Sequence, residues 1–382
     1  MTPRCQQLSA LIRQRIEAAG GWLPFDQFMQ AALYEPELGY YETSKVFGRQ
    51  GDFVTAAQMG PWLSLGLLDL LVWGWQQLGA PNEWHLVEQG GGEGALLATL
   101  AGHLQQLELP APKLWSVERS AGMRRRQQQR YAEAGLLVTQ VPVLADLPLL
   151  HDAILFSNEL PDAFPVRCFA WRDGEMLERG VAVAGDTFAW VERTLAPLER
   201  PAIDPALMAA WPEGYISEWS PRLADWQAQL AAKIERGLIV TVDYGYNQRE
   251  FYRSGRGEGT LLAHLGHRTS DDLLSDPGSR DLTAHVDFSA LLAAGECCRL
   301  EGVLFCTQGA WLAQSPSVSA TAQSFAMQGG AAAIAHLAEA KRLMLPFGMG
   351  EIFKLLVQSR GCSPVVPAWL GQFEKLKTVL SP

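Results

Sequence analysis

Several things are missing from this chain, and each absence removes a class of protein. No stretch of about 18 continuous apolar residues occurs, so no membrane span is expected. Cysteine is sparse. Cys5, Cys168, Cys297, Cys298, Cys306 and Cys362 form no C-x-x-C pair, which argues against a disulfide scaffold and for reduced thiols. Positive charge is in deficit: 31 Lys and Arg against 41 Asp and Glu leave a net charge of −10, a poor balance for nucleic-acid binding. The one dense basic run, "MRRRQQQR" (Met123–Arg130), reads as a solvated helix face. The first residues, "MTPRCQQLSALIRQRIEAAG", lack the apolar segment of a secretory signal. A cytoplasmic protein is the expectation. No internal repeat or low-complexity tail is present.

What remains is a chain of 382 residues with 48% hydrophobic residues, enough to bury a sizeable core. Up to about residue 80 the apolar spacing is helical, and "WLSLGLLDLLVWGWQQLG" reads as a buried helix. The long polar stretch "EPELGYYETSKVFGRQGDFVTAAQ" reads as a functional loop. From "HLVEQ" onward, strands and helices alternate: "KLWSVER", the weaker "LVTQVPVLAD", "DAILFSNE" and "LIVTVDYG" are strands, and "LADWQAQLAAKIERG" is a helix before the last of them. That order predicts an α/β fold with a parallel, doubly wound sheet. Pro165–Pro197 carries turn signals at "RDGE" and "AGDT" and reads as an antiparallel flap. Residues from about 250 to 295 read as loop and helix. "CRLEGVLFCTQ" and "EIFKLLVQSR" are strand-like, with Ala-rich helices between them. The expected division is a helical N-terminal cap (1–80), a core (81–310 and 347–360) with the flap inserted at 165–215, a helical insertion (311–346) and a C-terminal tail (361–382). Trp-rich "LVWGWQQLG" offers a surface for a homo-oligomer.

Ligands of such sheets sit at the carboxyl ends of the strands. The first strand ends in Glu88-Gln89-Gly90-Gly91-Gly92-Glu93-Gly94-Ala95. Gly90, Gly92 and Ala95 fit a dinucleotide fingerprint, while Glu88, Gly90, Gly92 and Gly94 fit the loop that binds S-adenosylmethionine. A pyrophosphate beside Glu88 and Glu93 would be repelled, whereas a cationic sulfonium or ammonium would not. Glu118 ends the next strand, where an acid accepts hydrogen bonds from ribose hydroxyls. Asp146 marks a candidate adenine edge. "ILFSNELPDAFPV" places Asn158, Glu159 and Asp162 past an apolar strand, and burying unpaired carboxylates is costly unless they serve a site. Asp243 ends the following strand. Asp281, His285 and Asp287 in "DLTAHVDF" lack diagnostic metal spacing, so no metal is expected, and His285 reads as structural.

The strings "LYEPELGYY", "GDFVTA", "VEQGGGEGALL", "SNELPDAFPV", "VDYGY", "DLTAHVDF" and "MGEIFKLL" give the chain a resemblance to the MidA-type methyltransferases. That family includes a mitochondrial complex I assembly factor that methylates an arginine of a complex I subunit. The resemblance implies a Rossmann-like class I methyltransferase core with a mostly parallel seven-stranded sheet, S-adenosylmethionine as cofactor and a protein arginine as acceptor. A pair of carboxylates can hold such a guanidinium fork, with Glu159 and Asp162 the best candidates and Asp243 a further one; the expectation is that Glu159 contacts the acceptor while Asn158 and Asp162 position the loop. Glu88, Gly90, Gly92, Gly94, Glu118, Asp146 and Asn158 are the expected cofactor contacts, joined by Gly51 and by Asp52 or Thr55 of "GDFVTA". Tyr40 and Tyr41 are candidates for the acceptor channel. The chain departs from the family at Gly91 (usually Pro), Glu93 (usually Arg), Leu160-Pro161 (usually aromatic) and Ala57-Gln58 (usually Pro-Glu). A small-molecule methyltransferase and a cofactor-binding assembly factor without turnover stay open beside the arginine reading. A dehydrogenase is the more distant alternative.

Overall fold

A computed structural model describes residues 2–42, 59–265 and 268–373. Seven strands form the central path: β1 (His85–Gln89), β2 (Lys113–Val117), β3 (Val138–Val141), β4 (Leu150–Asn158), β5 (Ile234–Tyr246), β6 (Glu301–Thr307) and β7 (Phe353–Arg360). They lie in the order β3-β2-β1-β4-β5-β7-β6. The first five pair in parallel, and β7 runs antiparallel to both β5 and β6. The two-residue strand Val286–Asp287 lies parallel to the end of β5, so the described sheet has eight strands.

The apolar runs explain the layers. Successive strand residues point to opposite faces. Ile154 and Phe156 of β4 therefore pack on one face with Leu238 and Val240 of β5. Leu155 and Ile239 pack on the other. The first face is covered by α3 (Trp62–Gln77) and α4 (Ala95–Gln105), and the second by α6 (Arg222–Lys233) and α7 (Phe288–Cys297). The other described helices of seven or more residues are α1 (Pro3–Ala18), α2 (Phe25–Tyr34), α5 (Ala121–Glu133), α8 (Gln308–Gln314), α9 (Pro316–Gln328) and α10 (Gly330–Met344). A run buried on both faces is the mark of a parallel sheet sandwiched by helices.

The flap is antiparallel: Arg167–Arg172, Glu175–Ala184 and Thr187–Thr194 turn at Asp173-Gly174 and near Gly185. Its sheet also takes in Ile216–Trp219 and, from the N-terminal region, Leu23–Pro24. Phe25 packs on the flap residue Trp190 with ring centroids 4.8 Å apart, which ties α2 to the flap.

Two expectations are corrected. Residues 250–295 are not only loop and helix: Leu262–Leu265, Arg268–Ser270 and Asp281–Thr283 form a three-stranded sheet. Strands of three or four residues are too short to show an alternating pattern. The helix before β5 ends at Lys233, and Ile234 already pairs with Leu150. The helical spacing simply ran on into a strand that starts without a turn residue. Trp73 and Trp75 donate their indole N–H groups to Val365 O (3.0 Å) and Pro81 O (3.0 Å), so their polar edges are used inside the chain and provide no evidence of self-association.

Candidate active site

The strand order reverses between β1 and β4, and a cavity of about 1110 Å³ lies at the carboxyl ends of the strands there. Glu88, Gly90 and Gly92 line it from the β1 loop, Glu118 from β2, and Asn158, Glu159 and Asp162 from β4 and its loop. Chain stretches about 30 and 70 residues apart in sequence are thus brought together by the sheet.

The loop shape follows from its glycines at two positions. Gly94 adopts φ +76° at the start of α4, a conformation that disfavours side chains, and a Cβ there would sit 2.5 Å from the Tyr131 hydroxyl. A Cβ on Gly91 would run into the Glu88 carboxylate. Gly91 therefore leaves room for the Glu88 side chain.

Glu88 is only 3% exposed, and its Oε2 has no hydrogen-bond partner among the described residues. Burial first, and the nearby Glu118 carboxylate second, push its carboxyl up to about 8. A buried acid with no cation beside it is relieved by a cationic ligand group. Burial likewise pushes Glu118 up to about 7, while the Ser120 N–H donates to its Oε1 at 2.9 Å. Two acids at these strand ends fit a ligand carrying a positive charge and a ribose. Neither suits a pyrophosphate.

Glu93 does not add bare negative charge to the loop. Arg126 (3.1 Å) and Arg130 (3.4 Å) of α5 pair with it, and Arg130 Nε also donates to Glu93 O (2.9 Å). Gln127, fully buried on the same helix, donates to Gly92 O (2.9 Å). The run read as a solvated helix face is thus a brace for the glycine loop.

The β4 loop is fixed from below. Asp243, wholly buried, accepts from the backbone N–H groups of Leu160 (3.1 Å), Asp162 (3.2 Å) and Tyr244 (2.8 Å). Glu159 takes φ +52°, a sparsely populated conformation for a side chain, held by its N–H to Val242 O (3.0 Å). Asn158 Nδ2 donates to Glu159 Oε1 (3.1 Å). Asp162 is buried, accepts from the Tyr244 hydroxyl, and is pushed up to about 6 by burial against that hydrogen bond.

Some expected contacts are elsewhere. Asp146 is exposed in a short 3₁₀ turn and does not line the cavity, whereas Pro142, Val143 and Leu144 do. Tyr41 lines it and donates to Asp281 Oδ1 (2.8 Å), but Tyr40 is buried in the N-terminal core. His285 lies away from the cavity. Gly51, Asp52 and Thr55 lie outside the described residues. Other lining residues went unread. Tyr34 of α2 donates to Ala163 O (2.7 Å), and Arg222 and Asp225 come from α6. Glu339 and Arg342 reach the wall from α10. Only Asp281 carried a sequence signal, as a polar residue in "DLTAHVDF".

An open α/β sheet with acids at the ends of β1 and β2 and a glycine corner defines a nucleoside-binding enzyme of the S-adenosylmethionine type. Residues 69–305 match the family described as "Putative S-adenosyl-L-methionine-dependent methyltransferase", and the chain belongs to that family. A curated relative is the mitochondrial protein arginine methyltransferase NDUFAF7 homolog of Drosophila melanogaster, 28% identical over 307 residues, covering 74% of this chain and 68% of its own length. The Danio rerio mitochondrial protein arginine methyltransferase NDUFAF7 is 25% identical over 300 residues, with 72% and 68% covered. A Burkholderia thailandensis protein crystallised with S-adenosyl-homocysteine superposes with a TM-score of 0.88 at 29% identity, covering 99% of both chains. The expected cytoplasmic location does not stand, because the matching curated relatives are named as mitochondrial proteins. No helix among the described residues is long and apolar enough to cross a membrane.

Proposed function

We propose that the chain methylates an arginine side chain of a protein, with S-adenosylmethionine held by Glu88, Gly90, Gly92, Glu118 and Asn158, and with Gly94, which does not line the cavity, shaping the loop. The supporting observation is the acidic lining: Glu159, Asp162 and Asp281 share with the glycine loop one cavity of about 1110 Å³, above the usual range for a single small ligand. The names of the relatives point the same way. When bound, S-adenosylmethionine supplies a methyl group on a positively charged sulfur. The protein's task is to position the acceptor nitrogen and balance its charge.

A guanidinium has a pKa above about 12 and offers a planar fork of N–H donors. Glu159 is the contact for that fork, and its carboxylate takes the proton released as the attacking nitrogen gains its methyl. Asp162 and Asn158 are positioning residues. Asn158 orients Glu159 through their 3.1 Å bond, and Asp162 is set by Asp243 and Tyr244. The N-terminal residues Gln30, Tyr34, Tyr41 and Met59 form the acceptor side of the groove, and of the flap (165–215) Pro165 reaches it. The helical insertion (311–346) adds Glu339 and Arg342.

The test is transfer of tritiated methyl from S-adenosylmethionine to a cell extract, followed by acid hydrolysis and amino-acid analysis. Label in methylarginine of protein supports the reading. Label confined to small molecules, or cofactor binding with no labelled product, rejects it.

A further inference from the structure

Behind the β4 loop lies a second cavity of about 490 Å³. The two cavities share a wall. Leu160, Asp162 and Pro165 face the first, while Pro161 and Val166 face the second. The first turn of α6 divides the same way, with Arg222 on one side and Leu223 on the other. The second cavity opens along α7, where the exposed residues Ala290, Ala293 and Glu296 line it.

Its chemistry differs from the first. The aromatic residues Trp219, Phe251 and Tyr252 form an apolar wall. Glu218, Asp287 and Glu296 supply carboxyl groups, and none of the described lining residues is a Lys or Arg. Glu218 is 1% exposed. Its Oε1 is fixed by the Thr260 backbone N–H (2.8 Å) and by the Thr260 hydroxyl, which in turn accepts from the His285 backbone N–H (2.9 Å). No hydrogen bond to Glu218 Oε2 is made by the described residues, and buried His285 Nδ1 has no partner either. Arg256, over the Tyr246 ring at 3.6 Å, acts on Glu218 and His285 through its charge, and Lys354 acts on His285, but among the described residues no Lys or Arg makes an ion pair with Glu218. Burial pushes Glu218 up to about 7 and pulls His285 down to about 4, so the histidine is a neutral ring able to accept a proton donor.

We propose that this second cavity binds a small organic amine with an apolar body, its ammonium hydrogen-bonded to Glu218 Oε2 and His285 Nδ1 and its body against Trp219, Phe251 and Tyr252. A cavity of this volume is in the range of small-molecule sites. An ammonium beside aromatic faces gains a cation–π contact that a neutral analogue does not. The assignment does not depend on which acceptor the first cavity serves.

The full chain is titrated calorimetrically with benzylamine, and with benzyl alcohol as its neutral counterpart. Saturable one-to-one binding of the amine is expected, unaffected by saturating S-adenosyl-homocysteine. Glu218→Gln should weaken it at least about tenfold. Ala293→Trp, at the rim and touching no buried hydrogen bond, should abolish it while leaving S-adenosyl-homocysteine affinity unchanged. The proposal fails if the amine does not bind or if the alcohol binds as well. It also fails if S-adenosyl-homocysteine displaces the amine, or if Ala293→Trp leaves its binding intact.

Discussion

Replacing Glu88 with Gln should stabilise the ligand-free protein and weaken its hold on the cofactor. The Glu88 carboxyl is 3% exposed, and burial pushes it up to about 8 from an ordinary value of 4.5. A folded-state value above the unfolded one contributes stability that is fully present below about 4.5 and is lost as pH rises through about 8. At pH 7 the loss has accumulated over roughly 2.5 units at about 1.4 kcal/mol each, so the buried acid costs about 3.5 kcal/mol that a neutral amide does not. With an unfolding entropy of about 2 cal/mol/K per residue, that is a rise of about 4–5 °C in Tm for a chain of 382 residues. At pH 4.5 the difference should vanish. Cofactor binding moves the other way, because the amide removes a charge-assisted hydrogen bond worth about 1.5–3 kcal/mol, a loss of roughly 10- to 100-fold in affinity. In the unaltered protein, affinity should also rise about tenfold per pH unit between about 6 and 8, as Glu88 must lose its proton to meet a cation. Scanning calorimetry at the two pH values, with and without S-adenosyl-homocysteine, reads all of this. An equal or lower Tm at pH 7 together with undiminished binding would refute the role assigned to Glu88.

Three further outcomes follow from the same geometry. Gly94→Ala forces a side chain into φ +76° against the Tyr131 hydroxyl, so urea denaturation should show a loss of about 1–3 kcal/mol. Tyr244→Phe removes the hydrogen bond that holds Asp162 down to about 6, so the acid limb of the kcat/KM profile should move up by about one unit; an unmoved limb would mean that Asp162 need not ionise. Glu93→Gln breaks pairs to Arg126 and Arg130, whose side chains are 34% and 43% exposed, so the effect should be only about 0.5 kcal/mol and under about threefold in cofactor affinity. A larger loss measured by titration would place Glu93 on the ligand.

What could be read before folding was whatever is encoded over a short stretch. The apolar runs of β4 and β5 announce a buried parallel sheet because both of their faces need apolar residues. The Gly90–Gly94 corner and the acids after β2 and β4 announce the site because polar residues rarely end buried strands without a purpose. Pairings made across the chain left no local trace. Glu93 looked like an addition to the loop's negative charge, yet its partners Arg126 and Arg130 sit more than 30 residues away on a helix that seemed merely solvated. Asp146 had the right order in the chain, but a 3₁₀ turn points it outward and leaves Val143 and Leu144 at the cavity. Glu339 and Arg342 reach the cavity from an Ala-rich helix whose spacing shows only that it is amphipathic.

The central claim is that Glu159, strained at φ +52°, holds an arginine for methyl transfer in a cavity that binds S-adenosylmethionine independently of it. The direct measurement compares Glu159→Gln with the unaltered protein, both for transfer of labelled methyl into protein arginine and for S-adenosyl-homocysteine affinity. A loss of transfer of at least about a hundredfold is expected, of the order seen when a positioned acid–base group is removed, with affinity changed by less than about threefold. Transfer at the normal rate by the variant would contradict the claim.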